Sequence, residues 1–190
     1  CYAGWAATGL YVWPMYPALA LAILSLTIAL QSSIMHEVLH GHPTRSGTVN
    51  EAFVFLPIGL IWPYRRFKWL HLRHHADERL TDPFDDPESY YRAMWEYEEL
   101  PRWVKTLLRW NNTMVGRFIL GPALALIGFV HSDWKLLRAG DAAVRKAWAL
   151  HVSGLLIVVP IITFGFGMPL WLYVVVPKVI FDKPLGSWKR

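Results

Sequence analysis

The sequence predicts an all-α integral membrane protein, a helical bundle with short re-entrant or interfacial helices and a histidine-bearing cap on the cytoplasmic side. Three observations carry that expectation. Composition is the first: 54% apolar residues and 11 tryptophans stand against only 17% charged residues, unlike an ordinary soluble chain. Second, two long stretches, 1–35 and 147–177, contain no Asp, Glu, Lys or Arg. Third, six of the eight histidines fall in two short clusters, HEVLHGH at 36–42 and HLRHH at 71–75. We treat residues 1–190 as one domain.

At about 1.5 Å per helical residue the first uncharged stretch is longer than the roughly 30 Å of a hydrocarbon core, so it must bend. Pro14 and Pro17 supply the break. Residues 1–13 then form the end of one span and 17–35 a complete second one. The stretch has no basic leader region, which argues against a signal peptide. The runs AFVFLPIGLIWPY (52–64) and FILGPALALIGFV (118–130) are too short to cross and are interrupted by Pro or Gly, which fits re-entrant or interfacial helices. GFGMP at 165–169 folds the last uncharged stretch into a span and the first part of a returning one.

Acidic residues concentrate between Asp77 and Glu99. There DDPESYYRAMWEYEEL reads as a helix start, with Asp86 as N-cap, Pro87 at the first helical position and Glu88 in the first turn. Pro101 ends that helix, and a second amphipathic piece from Trp103 to Trp110 is expected to lie along the membrane surface. Arg45, Arg65, Arg66, Lys68, Arg73 and Arg79 follow the complete first span, and Arg138, Arg145 and Lys146 precede the next. By the positive-inside rule that face is cytoplasmic. A basic stripe at a membrane explains the net charge of +5, and no nucleic-acid partner is expected. The single cysteine excludes an intrachain disulfide framework and a Cys-rich zinc site.

On a helix, residues four apart differ by about 40° around the axis, so His36 and His40 reach one ion from adjacent turns. His71, His74 and His75 share an arc of about 100°, with His74 and His75 diverging enough to serve two ions. Neutral imidazole suits iron, zinc and copper, and five such ligands exceed the needs of one tetrahedral zinc. The first cluster begins where the span ends, so a site there takes substrate from the bilayer and draws electrons and dioxygen from outside it. His42 would point about 240° from His36 on a continued helix. Gly41 and Pro43 instead end the helix and re-aim it, leaving both a ligand and a supporting role open. His131 and His151 read as interfacial or packing residues, although an ionisable group within a span invites a functional reading.

The HExxH within the first cluster also fits a zinc peptidase, with Glu37 as general base. The metzincin extension is absent, because Pro43, Thr44 and Arg45 follow His42. A distant acid such as Asp182 would have to complete the ligands, and HLRHH would have no role. Under the many-ligand reading, Glu37 orients an imidazole. Asp82, Asp85 and Asp86 either do the same or form turns and helix caps.

The succession HEVLHGHPTR, then HLRHHADERLTDPFDDPESYY about thirty residues later, resembles the membrane fatty-acid desaturases, particularly bacterial ones. They belong to a superfamily of histidine-box di-iron oxidases that includes alkane and fatty-acid hydroxylases and carotenoid hydroxylases and ketolases. The resemblance implies that His36 and His40 form the first box and His71, His74 and His75 the second, together ligating two iron ions. It implies dioxygen as co-substrate and a ferredoxin-, rubredoxin- or cytochrome b5-like electron donor. The reaction so implied introduces a double bond into a fatty acyl chain within the bilayer, with hydroxylase or ketolase chemistry as the alternative. The family's third box, usually HxxHH, has no counterpart in these 190 residues. The expectation is a fragment cut at both ends that binds iron incompletely alone; a naturally short, inactive relative is the alternative.

Overall fold

The computed structural model describes residues 1–76 and 93–181, and every regular element among them is helical. In chain order these are α1 (Tyr2–Ala7), continued by a π-helical turn over Thr8–Val12, α2 (Pro17–Leu39), α3 (Gly47–Phe53) and α4 (Tyr64–Ala76). After them come α5 (Met94–Glu99), α6 (Arg102–Asn111), α7 (Met114–Ile119) and α8 (Gly121–Arg138). The last two are α9 (Ala142–Pro160), continued by a π-helical turn over Ile161–Gly165, and α10 (Leu170–Phe181). Contacts divide the chain into one unit of Cys1–Lys68 with Gly140–Phe181 and another built on Trp69–Ala139. The division falls inside α4.

In the first unit, Pro17 opens α2, where its missing N–H leaves no helical bond unmade. The helix runs four residues beyond the predicted end at Met35, placing His36 and Glu37 in its last turn. Its 23 residues span about 35 Å. Pro17–Leu39 and Ala142–Gly165 are the two described helices long and apolar enough to cross a membrane. The Asp141 carboxylate caps α9 by accepting from the Ala143 and Val144 amides at 2.9 and 3.0 Å. The predicted turn at GFGMP is present, with Gly167 at φ +65°, and α10 returns to pack along α2. Trp5, Leu24, Ile58, Val158, Ile162 and Tyr173 meet in the core, where Trp5 sets its edge against Phe166 at 4.9 Å.

The run at 52–64 is not the expected short re-entrant or interfacial helix. Its first two residues end α3, its last opens α4, and 54–63 between them forms irregular turns. Pro57 and Pro63 deny it two amide donors, and Leu60 sits at φ +65°. Several of its peptide groups are satisfied by side chains from the surrounding helices. Gln31 donates to the Leu56 carbonyl at 2.5 Å and accepts from the Gly59 amide at 3.2 Å. The Tyr2 hydroxyl donates to the same Leu56 carbonyl at 3.1 Å. Tyr173 donates to the Ile58 carbonyl at 2.7 Å while accepting from the Trp5 indole at 2.8 Å. Irregular backbone in apolar surroundings persists where protein groups supply such partners. Gly154 lets α9 approach this segment, because a Cβ there would stand 2.6 Å from Pro57 Cδ and 3.1 Å from the Phe55 carbonyl oxygen.

In the second unit, the uncharged run at 118–130 is likewise not a short re-entrant piece. Most of it lies in α8, which continues through the charged residues to Arg138, with Pro122 in its first turn. After α8 the chain reverses at Gly140, φ +84°. Pro101 separates α5 from α6 as expected, and α6 exposes Trp103 and Trp110. The predicted helix start at Asp86, Pro87 and Glu88 lies outside the described residues.

Candidate metal centre

The first histidine cluster is built on the end of α2. His36 lies in the last turn, half-buried, and His40 forms the exposed C-cap. Their rings stand 4.8 Å apart at 64°, and each offers a nitrogen within 4.8 Å of the other's. The Glu37 carboxylate lies 3.5 Å from Nδ1 of His36. Gly41 takes φ +94°, and the helix stops there as its sequence implied. His42 consequently lies in an exposed loop.

The second cluster occupies the last turns of α4. His71 and His75 repeat the one-turn pairing, with ring centroids 4.6 Å apart at 75° and their Nε2 atoms 3.0 Å apart. Two imidazole nitrogens each about 2.1 Å from one ion, at right angles, stand about 3.0 Å apart, so this pair is spaced for joint ligation. His74 sits 6.2 Å from the His71 ring and 5.7 Å from that of His75. Each helix therefore presents a cluster of imidazole nitrogens of the kind that suits iron or zinc. Of the other histidines, His151 is buried and bonds the Leu60 carbonyl at 3.0 Å, a packing role, whereas His131 is exposed on α8. Asp82, Asp85, Asp86 and Asp182 lie outside the described residues.

In the first unit, the segment after the first cluster and the start of α4 are held by Asn50 and Glu51, which the sequence did not single out. Asn50, 2% exposed, bonds Thr44 through both ends of its amide. Its Oδ1 accepts from the Thr44 amide at 3.0 Å and hydroxyl at 2.7 Å, and its Nδ2 donates to the Thr44 carbonyl at 2.8 Å. Beside it, Glu51 accepts two parallel bonds from Arg65, at 2.6 Å from Nε and 3.0 Å from Nη2. That partnership raises the affinity of the guanidinium for its proton. Burial, then the Glu51 charge, push the Tyr64 phenol up to about 12, so it stays protonated near neutral pH. Met35, Glu51, Trp62, Tyr64, Arg65 and His151 are among the groups lining a cavity of about 30 Å³. It has room for a water or two, far below the volume of a pocket for a substrate-sized ligand.

Two helices long and apolar enough to cross a membrane accompany histidine clusters at the ends of α2 and α4. The family model for fatty acid desaturase matches residues 11–181, and the chain belongs to that family. Comparison with curated proteins and with solved structures gives no match. Membership places the chain among oxidoreductases of the desaturase superfamily, a membrane-associated class of di-iron oxidases.

Proposed function

We propose that this is an O2-dependent desaturase that introduces a double bond into a fatty acyl chain, using His36, His40, His71, His74 and His75 as ligands to two irons. The observation that carries the reading is the family match over residues 11–181 to a chain whose two i, i+4 histidine pairs have ring centroids 4.8 and 4.6 Å apart. When bound, the irons supply dioxygen activation with electrons from an external donor such as a ferredoxin, rubredoxin or cytochrome b5. The protein's part is to present imidazoles in fixed orientations, and Glu37, 3.5 Å from Nδ1 of His36, is placed to orient that ring. In this reading the apolar spans give the acyl chain a route from the bilayer, and the basic residues around α4 support a cytoplasmic position for the histidines. On α6 the exposed face of Arg102, Trp103, Thr106, Arg109 and Trp110 has the composition of a helix lying in the membrane interface.

The test is product analysis with the full natural polypeptide that carries this sequence, reconstituted with iron, an electron donor and acyl lipids under 18O2. A new alkene with no label retained in the product supports the reading. A labelled alcohol or ketone replaces it with hydroxylase or ketolase chemistry of the same superfamily. One tightly bound zinc and proteolysis indifferent to His71→Ala would revive the peptidase reading.

A further inference from the structure

Both clusters adjoin chain segments gripped by one short helix. Thr44, four residues beyond His40, has its amide, hydroxyl and carbonyl all bonded to the buried Asn50 of α3. The next residue, Glu51, holds the second residue of α4 through the two-pronged Arg65 bond. Farther along that same continuous helix come His71, His74 and His75. A helix transmits a constraint on its first turn along its axis because each residue is fixed to its neighbours by i to i−4 bonds. The forked geometry of an Arg–carboxylate pair fixes direction as well as distance.

We propose that Asn50 and Glu51 are positioning residues for metal binding: Asn50 anchors the backbone that follows the first cluster, and Glu51 anchors the entry of the helix that carries the second. The inference rests on the histidines being the iron ligands. Neither residue offers a donor to the metal in this role. Each acts through the segment it holds; groups bonded directly to a ligand typically change metal affinity by about 10–100-fold when lost, and these more distant ties are expected at the lower end of that range.

Three forms of the full natural polypeptide are compared in lipid nanodiscs after loading with iron: unchanged, Glu51→Gln, and the exchanged pair Glu51→Arg with Arg65→Glu. Iron content of the unchanged protein is measured first; its failure to bind iron overturns the ligand reading itself, independently of any Glu51 or Asn50 variant. The readouts are the rate of iron release to a chelator and the Mössbauer spectrum of the retained iron. Glu51→Gln keeps size and neutral hydrogen bonding at a part-exposed position, and it is expected to release iron about tenfold faster with a broadened spectrum. The exchanged pair is expected to restore both. Unchanged release and spectrum in Glu51→Gln, even with a lowered melting temperature, reduce the ion pair to a structural tie and overturn the proposal. Faster release that the exchange does not restore overturns the assignment to the Arg65 pair. Asn50→Asp, which keeps the acceptor and loses the donor, tests the other arm with the same readouts; wild-type release from it overturns the role of Asn50.

Discussion

The unit of residues 1–68 and 140–181 and the unit built on 69–139 solve the same problem differently. In the first, Trp5, Leu24, Ile58, Val158 and Tyr173 are at most 3% exposed and in mutual contact. In the second, no described aliphatic or aromatic side chain is buried, and Trp95, Trp103, Trp110, Met114 and Ile119 are all more than half exposed. Both are apolar, but among the described residues only the first directs that character into an internal core. The exposed apolar side chains of the second are of the kind that lipid can cover in a membrane-associated protein. Each unit nevertheless carries one histidine cluster with nearly the same ring spacing, so packing density and histidine spacing are separable.

The largest expected effect bears on that separation. His40→Ala in the well-packed unit and His75→Ala in the open one should each remove most of the bound iron from the full polypeptide, measured by elemental analysis after gel filtration. Full iron retention in His75→Ala would show that the open unit does not contribute a ligand, and the symmetry between the clusters would be fortuitous.

Stability should distinguish the units where metal binding does not. Leu24 is fully buried, and Leu24→Ala is expected to destabilise by about 2–4 kcal/mol. Ile127 is 64% exposed, so Ile127→Ala should change stability by less than about 0.5 kcal/mol. Equal losses for the two in reversible unfolding in mixed micelles would contradict the difference in packing.

Much of the helical layout was legible in the sequence, for identifiable reasons, whereas the contrast between the two units was not. The spans follow from the absence of charge over 1–35 and 147–177, and the clusters follow from histidine spacing on helices. Pro101 and GFGMP marked breaks that the structure contains. Residues 52–64 misled because low charge and shortness suit a re-entrant helix and a buried irregular segment equally. What decides between them is the set of partners for the backbone, and those lie far away in sequence, at Tyr2, Gln31 and Tyr173. Gln31 carried a signal, a polar amide inside an apolar span, which a search for charge alone passes over. Asn50 and Glu51 carried none, since their partners Thr44 and Arg65 are set by how the loop and α4 fold back on α3.

That dependence on distant partners gives the next effect in size. Gln31→Ala leaves the Leu56 carbonyl with the Tyr2 hydroxyl and removes the Gly59 amide's acceptor. A buried group so orphaned costs about 1–3 kcal/mol. Gln31→Met, which fills the space but offers neither an amide donor nor a carbonyl acceptor, should lose nearly as much as Gln31→Ala if the two bonds rather than the packing carry the effect. Thermal unfolding of the three forms in the same detergent separates bonding from packing. No loss in Gln31→Ala would mean that 54–63 holds its shape without the amide.

The last effect, on lipid seating rather than on folding, belongs to the open unit. Arg102, Trp103, Thr106, Arg109 and Trp110 form the exposed face of α6, within about 120° of arc, and the two tryptophans are 71% and 64% exposed. Tryptophan favours the headgroup level, and each basic residue near an anionic surface contributes about 1 kcal/mol. Replacing Arg102 and Arg109 by Gln should therefore weaken seating on anionic lipid by about 2 kcal/mol, while leaving the tryptophan contribution on neutral lipid. A spin label at Thr106→Cys, with the exposed Cys1 replaced by Ser, reports this as the ratio of oxygen to aqueous nickel-chelate accessibility. The ratio should rise on moving from phosphatidylcholine nanodiscs to discs containing about 30% phosphatidylglycerol, enough to give an anionic surface, and the double Gln variant should abolish the rise. A label equally open to water in both compositions would mean that α6 faces solvent or another protein. The second unit would then need a covering other than lipid for its apolar face.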